Sequence, residues 1–198
     1  MSEAHLAIIF SLGTAVMAAS FSLIVRRGQQ HGNAATGVLI GLIVNVPWLI
    51  AATWWYWEPH WWNPWALLFF VGSGATGPCL GRVFMFLGIH KLGVARAMPL
   101  MATNPLFTAA LAYTILAERP GPWIWAGTLL VVLGCVGITI KGRAGAAFER
   151  RYLWMPIAGV LGFSVSNIFR KAGMNELPSP IFGITMTSLA GMIFLLAF

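Results

Sequence analysis

Charged side chains are scarce in this chain. Asp, Glu, Lys and Arg together make up 9% of its 198 residues, against about 25% in an ordinary globular domain. That scarcity excludes a soluble fold. A formal charge of +7 would otherwise suggest nucleic acid as a partner. Here the basic residues sit between apolar runs, where they act as topology signals and lipid-headgroup contacts, so no nucleic acid is expected. Cysteine is nearly absent. Cys79 and Cys135 both fall inside apolar runs, without metal-ligand spacing or a disulfide pattern, and read as small packing residues. His5, His31, His60 and His90 are scattered near the ends of runs and assemble no metal site by spacing. No His-Glu-x-x-His, Gly-x-Ser-x-Gly, phosphate-binding loop or paired intramembrane carboxylate appears. The chain is therefore expected to be no enzyme, with no catalytic residue, cofactor or metal. No cleavable leader is expected: the first apolar run starts at about Ala4, after Ser2 and Glu3, with no basic lead, and reads as a retained helix.

Apolar residues fill the space that charge leaves. They make up 59% of the chain, and mean hydropathy is +0.80. A helix needs about 20 such residues to cross a hydrocarbon core. That length divides the chain into seven expected spans, near 4–25, 36–57, 65–89, 94–117, 122–140, 153–169 and 180–198. The expected fold class is an all-α polytopic membrane protein. Most connections are short. The exception, residues 141–151, is a basic linker that separates a five-span unit (1–140) from a two-span unit (152–198). Tryptophans crowd the ends of spans 2 and 3 (Trp54, Trp55, Trp57, Trp61, Trp62, Trp65) and recur at Trp123, Trp125 and Trp154. Indole favours the headgroup level, which makes these an interfacial belt, with an aromatic ligand cage as the alternative.

The fourth span, ending at Glu118, is the most informative. Pro105 cannot donate to the carbonyl of Met101, and Pro99 leaves that of Ala95 free. Lipid offers those carbonyls no partner, so they need a neighbouring helix, Thr103, Asn104 or a water-filled cavity. Transporters often place substrate at such a break; a kinked structural helix is the alternative. Arg96 opens the span, with Leu100, Thr103 and Phe107 on the same face, as a basic mouth or an interfacial anchor.

From the break onward the residues come in a specific order: Asn104-Pro-Leu-Phe, a Leu/Ala-rich run, Glu118-Arg-Pro, a short turn, then an apolar run with Gly127-x6-Gly134. From roughly Gly93 to Gly137 this resembles the EamA repeat of the drug/metabolite transporter superfamily. The resemblance implies a secondary carrier of small metabolites in the inner membrane, with ten helices in two inverted five-helix repeats and transport by alternating access. It also matches Glu118 to the acid that ends the fourth helix, in a coupling or a structural role.

A repeat is visible as well. Ser20-Phe-Ser-Leu-Ile-Val-Arg-Arg27 matches Ser164-Val-Ser-Asn-Ile-Phe-Arg-Lys171 at an offset of 144 residues. Five spans separate the copies, so the second must cross in the opposite sense. By this offset Phe198 corresponds to Trp54, and the chain is expected to be a fragment of a parent of roughly 290 residues, the alternative being a natural seven-helix protein. Nine Lys and Arg against three put the amino terminus outside by the positive-inside rule, whereas the resemblance implies inside.

Arg82, deep in the third span, either pairs with an anionic substrate or snorkels to the surface. Asn45 and Asn167 are mid-membrane amides suited to bonds between helices. Ser164, Asn167 and Lys171 share one face. Gly37-x3-Gly41 and Gly77-x3-Gly81 permit close helix approach and self-association. The pathway candidates are thus Arg82, Arg96, Thr103, Asn104, Pro105, Ser164 and Asn167. The expected partners are the lipid bilayer and an unidentified small-molecule substrate. A flippase for lipid-linked substrates and a non-transporting scaffold are the other functional classes.

Overall fold

The computed structural model describes residues 3–28, 33–57, 63–116, 121–141 and 150–197, and every regular element among them is helical. The helices are α1 (Glu3–Gly28), α2 (Ala34–Trp55), α3 (Pro64–Gly74), α4 (Arg82–Leu92), α5 (Val94–Met101), α6 (Asn104–Ile115), α7 (Pro122–Lys141), α8 (Trp154–Glu176) and α9 (Pro180–Ala197). A π-helical segment, Ala75–Gly81, joins α3 to α4. This is an all-α polytopic membrane protein. Among the described residues, three helical spans are long and apolar enough by themselves to cross a bilayer: Ala34–Trp55, the 29-residue span Pro64–Leu92, and Pro180–Ala197.

Local chemistry sets the helix ends. Asn63 caps α3 by accepting the backbone N–H groups of Trp65 at 3.0 Å and Ala66 at 3.4 Å, and Pro64 takes the first helical position. Between α4 and α5 the chain turns at Gly93, whose φ of 78° suits glycine. Within the third span Pro78 has no N–H to donate, and the wider π turn accommodates the missing bond.

Glycines let α8 and α9 press against this span. A Cβ at Gly81 would stand 3.1 Å from the Phe163 nitrogen, and one at Gly88 3.1 Å from the Pro156 ring. Gly72 faces Phe169, so α8 runs antiparallel to the third span. By the same logic α9 runs parallel to it: Phe70 faces Gly183, Gly74 faces Ala190, and Pro78 faces Gly191. Thr53 meets Thr185 near one end of α2, while Val38 and Leu42 pack with Met192 and Leu195 near the other, so α2 opposes α9. Gly77 and Gly81 are therefore occupied in packing within the chain.

Hydrogen bonds fix the register at lipid depth. The Ser73 hydroxyl donates to the Ser166 carbonyl at 3.0 Å, and the Ser166 hydroxyl donates back to the Ser73 carbonyl at 2.9 Å. Thr53 and Thr185 hydroxyls lie 2.7 Å apart. Such pairs need small side chains on closely approaching backbones, which the glycines beside them provide. The outward face is apolar and carries exposed Trp48, Trp54, Trp55, Trp65, Trp123 and Trp154. Trp61 and Trp62 lie outside the described residues.

Two expectations require correction. The sixth span does not stop at 169: α8 continues through Arg170 and Lys171 to Glu176. A hydropathy ruler stops at the first charged pair, but the helix is held further on, where Gly173 packs against the Phe70 ring. The fourth span is broken where its prolines lead one to expect, into α5 and α6. Asn45 faces outward from α2, and among the described residues it makes no bond between helices.

Candidate functional site

The break in the fourth span is closed by a tight turn. The Ala102 N–H donates to the Met98 carbonyl at 2.9 Å, and the Thr103 N–H reaches back only to the Leu100 carbonyl at 3.1 Å. The Thr103 hydroxyl donates to that same carbonyl at 2.7 Å. Leu100 would bond to Asn104 in a continuous helix; Thr103 supplies the substitute from its backbone and its side chain together. Pro105 then occupies the first turn of α6, where a missing N–H costs little.

Asn104 ties the break to α8. Its Oδ1 accepts the Ser164 hydroxyl at 3.0 Å and the Thr108 hydroxyl at 2.7 Å, and its carbonyl lies 3.5 Å from the same Ser164 oxygen. Ser164 is fully buried. From this contact α6 and α8 run in the same sense, so residues one and two turns further along each helix face one another.

There the helices part around a cleft of about 900 Å³. Pro105, Thr108, Ala109 and Ala112 line it from α6, with Gly121 and Ile124 at the start of α7. The α8 wall is Asn167, Ile168, Arg170, Lys171, Met174 and Asn175. Arg170 donates from Nη2 to the Asn167 Oδ1 at 2.9 Å. That bond turns the Asn167 amide so that its N–H end, not its oxygen, is left to face other partners. The polar lining is thus rich in donors, set on an apolar floor.

The sequence candidates fall into three groups. Pro105 and Asn167 line the cleft, and Asn104 and Ser164 join at its inner end, next to Thr103 in the turn. Arg96 sits half-buried in the first turn of α5 and Arg82 half-buried at the start of α4; neither lines the cleft. No hydrogen bond or ion pair reaches the Arg82 guanidinium from the described residues. Glu118 lies outside the described residues. The residues that sequence reasoning missed are Thr108, Arg170 and Asn175. Thr108 stands four residues after Asn104 and Arg170 three after Asn167, so helical spacing could have found both. Arg170 lies just past the point where hydropathy ends its span, which hid it.

A family model described as EamA-like transporter family matches residues 5–140, more than half of the chain and the whole of the α5–α6 break. No curated protein and no solved structure matches the chain.

Proposed function

The chain belongs to the EamA-like transporter family, and from that premise we propose that it carries a small metabolite across the inner membrane by alternating access, with the α5–α6 break as its moving part. Members of this family are membrane transporters, so the general activity follows from membership. The observation that carries the finer reading is the contact between Ser164 and Asn104 at the break. A cross-helix hydrogen bond at this depth is worth about 0.6–2 kcal/mol. Such a bond can hold one arrangement of α6 against α8 and still break on each cycle. The turn at Ala102–Thr103 gives α6 a point to pivot on, since it is held by short bonds local to the turn itself.

The topology supports rocking. The third span opposes both α2 and α8 and runs with α9, so successive spans alternate in direction. By that alternation α1 and α8, which share the Ser-x-Ser…Arg-Arg/Lys pattern, cross in opposite senses. Inverted elements of this kind can exchange conformations between the two faces.

The test needs no known substrate. Cys79 and Cys135 are replaced by alanine, and single cysteines are placed before the break (Leu100→Cys) and after it (Thr108→Cys). Right-side-out and inside-out vesicles are then labelled with a membrane-impermeant maleimide. A carrier exposes the two positions to water from opposite faces. A scaffold with a kinked helix leaves both unlabelled, and that result would sink the proposal.

A further inference from the structure

We infer a second ligand site, separate from the cleft and independent of the carrier reading: a gap at mid-membrane depth between α2 and the third span, where Arg82 and Asn45 together hold a small organic monocarboxylate. The register of the two helices places it. A Cβ at Gly37 would stand 3.2 Å from the Phe86 ring, so these two residues lie level on antiparallel helices. Gly41 comes four residues after Gly37, and Arg82 four before Phe86. Each step is about 6 Å in the same direction, so Gly41 and Arg82 are level in turn. Nothing lies within 4 Å of the Cβ position of Gly41. The seam that Phe86 fills is therefore open one turn further along, beside Arg82. Asn45 extends the Gly37–Gly41 row by another turn; it is exposed and makes no hydrogen bond among the described residues.

The direction of the side chains brings the two polar groups together. In a helix every Cα–Cβ bond tilts towards the N-terminus. On antiparallel helices that tilt carries Arg82 and Asn45 towards each other's level, across the open space. For Arg82 it also leads towards the middle of the bilayer, because the nearer end of the 29-residue span, Leu92, lies about 15 Å behind it. Snorkelling would have to run against that tilt. No hydrogen bond or ion pair reaches the half-buried guanidinium from the described residues. Neither α2 nor the third span contains an Asp or Glu. Glu3 opens α1 at least about 20 Å away along the axis, since it is Phe21 of α1 that meets Phe86, at 6.1 Å between ring centroids. A cation at this depth is costly until an anion joins it. The donor set then selects the ligand. A guanidinium grips two oxygens of one carboxylate, and the Asn45 amide adds an N–H. One cation balances one negative charge, and a dianion would leave charge uncompensated in a low dielectric. Leu42 and Phe86, beside the gap, offer an apolar wall to an organic body.

The test is thermal unfolding of the 198-residue chain in detergent, at constant ionic strength, with benzoate as the probe. Benzoate at ten times its half-saturating concentration should raise the melting temperature by about 3–6 °C. Phosphate and benzylamine should each shift it by less than about 1 °C. Arg82→Met should abolish the benzoate response and, without ligand, melt above the wild type, because it removes a charge that nothing nearby balances. Gly41→Leu, which fills the gap and leaves Arg82 in place, should abolish the response as well, and it provides a second variant should Arg82→Met fail to fold. A benzoate response that survives either substitution overturns the site. So does an equal response to phosphate or benzylamine, or no response from the wild type.

Discussion

Replacing Gly74 by alanine probes the packing that brings α9 onto the third span. A Cβ there would lie 2.5 Å from the Thr187 carbonyl oxygen, 2.6 Å from the Ala190 Cβ and 2.8 Å from the Gly191 nitrogen. Ordinary contact begins near 3.4 Å, so α9 must retreat by about 1 Å at this point. Two of the three neighbours are backbone atoms, which no rotamer change can move aside. Overpacking of this kind costs about 1–3 kcal/mol, with this site at the upper end. Alanine returns about 0.5–1 kcal/mol through its better helix propensity. The net loss is about 2–2.5 kcal/mol, or a melting temperature lower by about 4–10 °C for a chain of this length. Intrinsic tryptophan fluorescence during thermal unfolding in detergent measures it. Gly41→Ala is the control: nothing lies within 4 Å of its Cβ position, so that variant should be neutral or slightly more stable. Equal melting temperatures for the two variants would refute the close approach of α9 at Gly74.

Two further outcomes rest on the hydrogen bonds. Ser73→Ala should cost about 0.6–2 kcal/mol in a detergent unfolding titration, and the double variant with Ser166→Ala should cost less than the sum of the single ones, because both serines serve one contact; strict additivity would argue against the reciprocal pair. Pro105→Ala restores an N–H that can bond to the Met101 carbonyl, stabilising a continuous α5–α6 helix by about 1 kcal/mol. Labelling at Thr108→Cys should then fall sharply, and unchanged labelling would show that the break does not depend on the proline.

The cleft illustrates how far sequence reading reaches. Asn104, Pro105 and Asn167 were identifiable because a proline or an amide inside an apolar run is chemically conspicuous wherever it later packs. Thr108 was not, since a threonine in a lipid-facing helix usually just returns its hydroxyl to its own backbone, as Thr114 does to the Ala110 carbonyl at 3.0 Å. Arg82 shows the opposite case. Its isolation in the third span made it the most conspicuous residue, yet it stands on α4, away from the cleft that α6, α7 and α8 enclose.

Composition alone determined that this chain lives in a bilayer as helices, because a hydrocarbon solvent leaves the backbone few other ways to satisfy its hydrogen bonds. The prolines determined where the fourth span must break, and the order of features from Gly93 to Gly137 pointed to the family. Which residues meet was decided only by the tertiary structure. Hydropathy averages over a helix and cannot say which face looks inward. It also cannot tell that Gly74, Gly77 and Gly81 would draw α8 and α9 in so closely, or that α8 would run on through two charges to line a cleft. Those outcomes depend on distances between segments far apart in the chain, which single-residue chemistry does not encode.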